Sequence, residues 1–363
     1  MRTTTRVLVL WSAAVTMWAI PPAAQAWNRE SASTFAVLPD GSGGPEGLEV
    51  DPDGNVFVAS FGFNAVGPLT GSGQVFVLDQ QGKLQRTLTL QGSSPHLLGL
   101  HWRSATSLLV ADFGDGKVLD VNPATGAFTP FMTLPTTLPH GPTSSLNDIT
   151  TDKAGNVYAS DSFQGIIWKT GSSGGLATAW VDSELLRTTG VPPFGANGLR
   201  FNGAETALFV ANTGNDTIVK IPVSGGTPGT PAVFVNSING ADGLIVDQND
   251  NLWVVANQAD EVVVVDPTGR AIAKLGDFGG VKDGEPQQLL FPASLRFLKD
   301  RLLVTNLALD LRLFDPTFVT VDSPWTALVT HYTVSSLPAQ IPPMQAQQQS
   351  GRQQPGGEQP AHH

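Results

Sequence analysis

The sequence predicts an all-β chain, a six-bladed β-propeller of four-stranded antiparallel blades. Three observations predict it: a repeat of about 50 residues, a turn pattern shared by the repeats, and no helix-period segment of useful length between them. The repeat is read from short apolar strands that end on a small or polar residue. They are residues 55–60 (NVFVAS), 107–112 (SLLVAD), 156–161 (NVYASD), 207–212 (ALFVAN), 252–257 (LWVVAN) and 301–306 (RLLVTN). Successive ends lie 45 to 52 residues apart.

Each unit is built in the same order. An apolar first strand opens it, as at residues 47–50 and 243–246. A tight turn follows, Asp51-Pro52-Asp53-Gly54 in the first unit and Asp247-Gln248-Asn249-Asp250 in the fifth. These residues preset turn dihedrals or tolerate positive φ. The Val-rich second strand comes next, then a third at residues 74–79, 117–122, 217–222 and 261–266. A weaker fourth strand follows, as at residues 87–90 and 232–235. Four antiparallel strands in a unit of this length make a propeller blade. The continuous Val/Ile/Leu runs fit strands covered on both faces, as they are when blades stack. A solenoid shares the period but does not need this four-strand grammar.

The two ends read differently. Arg2 and Arg6, the apolar run 7–20 and Ala24-Gln25-Ala26 make a signal-peptide pattern over residues 1–26, so export to a periplasm or beyond is expected. Residues 339–363, rich in Gln, Pro and Gly, are expected to form a disordered tail that includes His362 and His363. The propeller is expected over residues 33–335. The chain has no Cys, which excludes thiol catalysis and Cys-ligated zinc. Its formal charge of −11 argues against nucleic acid and anionic membrane as partners. No later run is long and apolar enough for stable membrane insertion.

Just ahead of the first strands, Glu46, Asn147, Asn197 and Asp242 hold one phase in four blades, 14 or 15 residues before the end of the second strand. Innermost strands surround the channel, so equal phase brings the four side chains to one height around the axis. Two carboxylates and two amides converging there call for a hard cation. Calcium takes about six to eight oxygen ligands from such groups and water, with manganese or magnesium as other divalent candidates.

The fragments PEGLEVDPDGNVFVASF, LNDITTDKAGNVYASDSF, GANGLRFNGAETALFVANTGNDTI and ADGLIVDQNDNLWVVAN resemble the senescence marker protein/gluconolactonase family, and beyond it the paraoxonases and the diisopropyl-fluorophosphatase type. The resemblance implies a six-bladed propeller with a catalytic calcium at the channel mouth, held by Glu46, Asn147, Asn197 and Asp242. It also marks departures. Gluconolactonase-like members carry an Arg where this chain has Ser145, so the substrate-lining position has lost its sugar-holding group. Paraoxonases carry an acid where this chain has Gly47, which weakens a second metal site, although Asp148 remains available and is also a candidate for lining the substrate site. Pro95-His96 looks like the paraoxonase Pro-His that lines the active site, with a register uncertain by a residue or two. Ser294 is a further candidate for lining the mouth in blade 6.

The function this implies is calcium-dependent hydrolysis of a small lactone or ester, with His96 or Asp242 activating water, or Asp242 attacking the substrate. The alternative is a non-catalytic secreted binding or scaffold propeller with a structural calcium and an unnamed protein partner. An open mouth over the metal favours the enzyme; a mouth plugged by the 134–146 loop favours the scaffold. A propeller lyase ranks last, because no His–Glu pair stands in phase. His101, beside Trp102, is expected to be structural. His140 lies in a loop that can overhang the mouth, as does the 187–195 loop, and Phe163 and Phe194 are candidates for an apolar wall.

Overall fold

A computed structural model describes residues 27–342. The expected signal segment, and the expected tail from residue 343 onward, lie outside the described residues. Six sheets form the six blades of a β-propeller. Their innermost strands are Pro45–Val50, Leu97–Ser104, Leu146–Thr151, Ala196–Phe201, Ala241–Val246 and Pro292–Leu298. Six buried apolar clusters fill the spaces between the blades. Phe57, Val75 and Val77 of blade 1, for example, pack with Leu97, Leu108 and Val110 of blade 2. Both faces of the inner strands are therefore buried, as their unbroken Val/Ile/Leu runs require. Among the described residues no helix is long and apolar enough to cross a membrane.

Blade 6 is assembled from both ends of the fold. Its outermost strand is Ser33–Val37, paired antiparallel with Thr333–Pro338. The first and last strands thus close the ring through backbone hydrogen bonds. Local sequence order does not reveal this pairing, because the two strands lie at opposite ends of the propeller. The last strand runs through Pro338, and Ala339 and Ile341 pack against the blade 5–blade 6 cluster. The ordered chain therefore extends past residue 335.

One feature recurs in all six blades. The register between the first and second strands shifts immediately after the first residue of the innermost strand: between Pro45 and Leu48, Leu97 and Leu100, Leu146 and Ile149, Ala196 and Leu199, Ala241 and Leu244, and Pro292 and Leu295. Two residues bulge out of each ladder there, which re-aims their side chains. The second is Gly in blades 1, 2, 4 and 5, for a packing reason. A Cβ on Gly47 would lie 2.1 Å from the Leu98 carbonyl oxygen, and one on Gly198 would lie 2.5 Å from that of Asp242. Each of these bulges rests on the bulge of the next blade, so a bare α-carbon is needed at the contact.

Between its second and third strands blade 6 carries an excursion, residues 307–332, with a 3-10 turn at Leu311–Leu313 and a short helix at Ser323–Thr326. Arg312 pairs with Asp310 and donates to the Ser323 carbonyl, joining the two pieces. Asp322 lies beside Asp260 of blade 5, and both carboxyls are buried. Burial and the Asp322 charge push Asp260 up to about 8, and burial pushes Asp322 up to about 6.

Two outcomes follow. Gly47→Ala forces a backbone shift between blades 1 and 2 and is expected to cost about 1–3 kcal/mol in denaturant unfolding; an unchanged midpoint would contradict the contact. The Asp260–Asp322 pair favours the folded state while protonated. Both groups ionise near ~4 when unfolded, so their contribution declines as pH rises from there through about 6 and about 8. Asp260→Asn has no such proton to lose. Its melting temperature should gain on the wild type between about pH 5 and about pH 9; a gap independent of pH would sink this account.

Candidate metal centre and channel mouth

The first residue of the bulge is Glu46 in blade 1, Asn147 in blade 3, Asn197 in blade 4 and Asp242 in blade 5. All four line one cavity, with a volume of about 20 Å³. They are 3 to 5 % exposed. The shared sequence phase therefore marks a shared place in space, and the bulge is what turns these side chains to the axis. Leu98 holds the same place in blade 2 and also lines the cavity, while Ala293 holds it in blade 6.

The amides are held in one orientation. Asn147 Nδ2 donates to Ser162 Oγ at 3.4 Å, and Ser162 in turn donates to the Ala196 carbonyl at 2.7 Å. Asn197 Nδ2 donates to Thr213 Oγ1 at 2.9 Å. Asp242 Oδ2 accepts from Asn257 Nδ2 at 2.9 Å. Thr305 Oγ1 donates to the Glu46 carbonyl and accepts from the Ser294 N–H, tying blade 6 to blade 1 beneath the site. With those groups satisfied, Glu46 Oε2, Asn147 Oδ1 and Asp242 Oδ1 are buried and have no hydrogen-bond partner.

Three unpartnered buried oxygens are costly unless something positive meets them. The cavity has room for about one water-sized species. The donors are all oxygen, which suits a hard divalent cation completed by water. Two carboxylates alone do not make a site: among the described residues no group of three or more His, Cys, Asp or Glu is placed to hold a metal. The amides of Asn147 and Asn197 must complete the set. With protein atoms alone, burial and then the charges of Asp242 and Asp148 hold the Glu46 carboxyl well above its ordinary range. Burial, reinforced by the Asp148 charge and opposed by the Asn257 hydrogen bond, pushes Asp242 up to about 7. A cation would reverse both shifts.

Deeper in the channel the carboxylates are already paired. Arg200 Nη1 donates to Asp148 Oδ2 at 2.7 Å and to the carbonyls of Ile149 and Leu199. Arg296 Nη2 donates to Glu49 Oε1 at 3.0 Å. Asp148 therefore binds blade 3 to blade 4 through a guanidinium and lies away from the cavity lining. That corrects its expected place at the substrate wall: the charge of Arg200 takes it up.

The remaining expected residues are placed as follows. His96 stands two positions before Leu98, so it is out of phase with the ligand set and absent from the cavity lining. Its Nδ1 is 2.7 Å from the Phe61 carbonyl and its ring stacks on Phe63, with centroids 4.7 Å apart. Ser145 is fully buried, donates its backbone N–H to Asp161 and is absent from the cavity lining. Ser294 is the second bulge residue of blade 6, turned away from the cavity that the first residues line. His101 Nε2 meets Thr151 Oγ1, a structural contact. His140 is tethered to Asp182, which holds its loop against the edge of blade 3.

The mouth is closed by aromatic rings. Phe61, Phe194, Phe291, Leu307 and Leu309 roof the cavity, with Leu134 and Leu138 of the 134–146 loop at the edge of the same cluster. The expected Phe194 wall is present, and Phe163 stacks on it at 6.0 Å. Sequence reading missed Asn257, Phe61, Phe113 and Phe314. Phe61 and Phe113 directly follow the polar residue that ends the second strand, and Phe163 follows it by two, a repeated placement that could have flagged them.

A family model described as "SMP-30/Gluconolactonase/LRE-like region" matches residues 72–276. No curated protein matches the chain. Among solved structures, regucalcin, a calcium-binding protein from Agrobacterium tumefaciens, is 19% identical with a TM-score of 0.57, over 85% of this chain and 94% of that one. A gluconolactonase from Xanthomonas campestris is 14% identical with a TM-score of 0.59, over 86% and 91%. Virginiamycin B lyase from Staphylococcus aureus is 16% identical with a TM-score of 0.50, over 77% and 82%. At such identities the likeness is one of fold.

Proposed function

The chain belongs to the SMP-30/gluconolactonase/LRE-like family, and from that premise we propose that it is an exported, calcium-dependent hydrolase of small lactones or esters. The observation that carries the reading is the set of unpartnered oxygens on Glu46, Asn147 and Asp242 around an ion-sized cavity. Glu46, Asn147, Asn197 and Asp242 would hold the cation, another divalent ion being the alternative to calcium. When bound, such an ion polarises a carbonyl and stabilises the oxyanion that develops on it. Asn257 holds Asp242 Oδ2, leaving Oδ1 directed at the cavity to take a proton from water or to attack the substrate. Asp242 is favoured over His96 for this role, because His96 is engaged with Phe61 and Phe63 outside the cavity lining. The apolar roof excludes bulk water from the reacting groups.

The closed cavity specifically favours a second reading, a binding or scaffold propeller whose calcium only stiffens the axis. One experiment separates the two. The protein is assayed on lactones and aryl esters with calcium, with a chelator, and after calcium is restored. Turnover that follows calcium, and that falls by about 10²-fold or more in Asp242→Asn, is the expected outcome. No turnover in folded protein whose melting temperature rises with calcium would select the scaffold.

A further inference from the structure

Above the oxygen set, five phenylalanines from five blades form a closed circuit. Phe61 of blade 1 meets Phe113 of blade 2 at 5.3 Å, and Phe113 meets Phe163 of blade 3 at 5.9 Å. Phe163 meets Phe194, ahead of blade 4, at 6.0 Å, and Phe194 meets Phe314 of the blade 6 excursion at 5.9 Å. Phe314 returns to Phe61 at 6.4 Å. Blades 1 and 4 face each other across a six-bladed ring, so Phe314, touching Phe61 and Phe194, spans the mouth. Phe63, at 5.0 Å from Phe314, thickens the seal on the blade 1 side.

The chemistry of this vestibule is one-sided. The polar groups lining the cavity are the four candidate ligands and Asn257, and the rest of the lining is Phe and Leu. Asn147, Asn197 and Asp242 already spend their second polar atoms on Ser162, Thr213 and Asn257. With a cation on their cavity-facing oxygens, these residues leave few polar groups to meet a polyhydroxylated ring, against six apolar side chains in the lining. Hydroxyls brought into this roof would lose water and gain few partners. An apolar arm would lose water favourably and find aromatic faces on every side. The present volume, about 20 Å³, holds an ion or a water but no organic ligand, so a ligand must displace a ring. Phe314 is the half-buried ring at the centre of the closure, carried by a loop and not by a blade strand.

We propose that the ligand of this site is a lactone or ester with an alkyl or aryl arm, not a sugar lactone, and that this arm takes the place of Phe314 within the circuit of rings. The proposal rests on the hydrolase reading for its reacting group, but its test does not require turnover. The probes are two lactams, chosen because an amide resists hydrolysis far better than the corresponding ester: a δ-valerolactam carrying a nonyl chain, and gluconolactam. Binding of each to the calcium-loaded protein is measured by calorimetry. The nonyl lactam is expected to bind at least about tenfold more tightly. Phe314→Ala, which removes the ring to be displaced, should tighten the nonyl lactam further and leave gluconolactam unchanged. Phe113→Gln, which places a polar group in the remaining wall, should weaken the nonyl lactam alone. Gluconolactam binding as tightly as the nonyl lactam, or neither lactam binding to wild type and Phe314→Ala alike, overturns the proposal. Apolar binding without turnover on the ester and lactone panel would leave this inference standing and remove the hydrolase reading.

Discussion

The bulge that opens each innermost strand is the constraint on which the rest of the molecule depends. It takes two residues out of each ladder at the same height, and the bulges of blades 1, 2, 4 and 5 press on the backbone of the next blade. Close approach brings the first bulge residues to a common point on the axis. Gly47 and Gly198 make that approach possible, since a side chain there would collide with the neighbouring carbonyl. The candidate site is thus a product of ring closure. No single blade builds it, and a change in the spacing of the blades would change the distances between ligands.

The distribution of charge along the channel shows where a cation belongs. Four carboxylates lie buried there. Asp148 and Glu49 have guanidinium partners, Arg200 and Arg296, each of which also donates through Nη1 to a backbone carbonyl, while Arg200 Nη2 is left without a partner. Breaking either pair would strand a buried charge. Glu46 and Asp242 have no such partner in contact, and each keeps one oxygen unmet. A protein that neutralises one end of its channel with arginines and leaves the other end bare has left room for a positive ion from outside. The uneven pairing makes that argument more strongly than the presence of acids, because the two ends share the same burial and the same strands.

Much of this was legible in the sequence, for a physical reason. Blade repeats preserve phase, so Glu46, Asn147, Asn197 and Asp242 announce their convergence by spacing alone. Phase also shows why His96 misleads. It stands two residues ahead of the bulge, whereas Leu98 occupies the equivalent place, and a Pro-His pair carries no register of its own. Asp148 misleads differently: it is adjacent to a ligand, but the second bulge position faces the next blade, where Arg200 waits. The strand Ser33–Val37 escaped because its partner is at the far end of the fold, a pairing that no local period encodes. Phe314 escaped because the excursion in blade 6 belongs to no repeat.

That excursion leaves from a fixed base. Asn306, the last residue of the second strand, donates through Nδ2 to Thr333 Oγ1 at 2.9 Å and to Ser335 Oγ at 3.0 Å. It also accepts the Leu290 N–H, tying in the start of the blade. The two stems of residues 307–332 therefore leave from a pinned pair of strands, and the ladder from Asn306↔Thr333 outward does not depend on what the loop does above it. The same strands carry the closing contact with Ser33–Val37, so a loop whose motion opened the ladder would also loosen the ring. Pinning at Asn306 separates the two jobs of blade 6: its strands hold the propeller shut, and its loop covers the mouth.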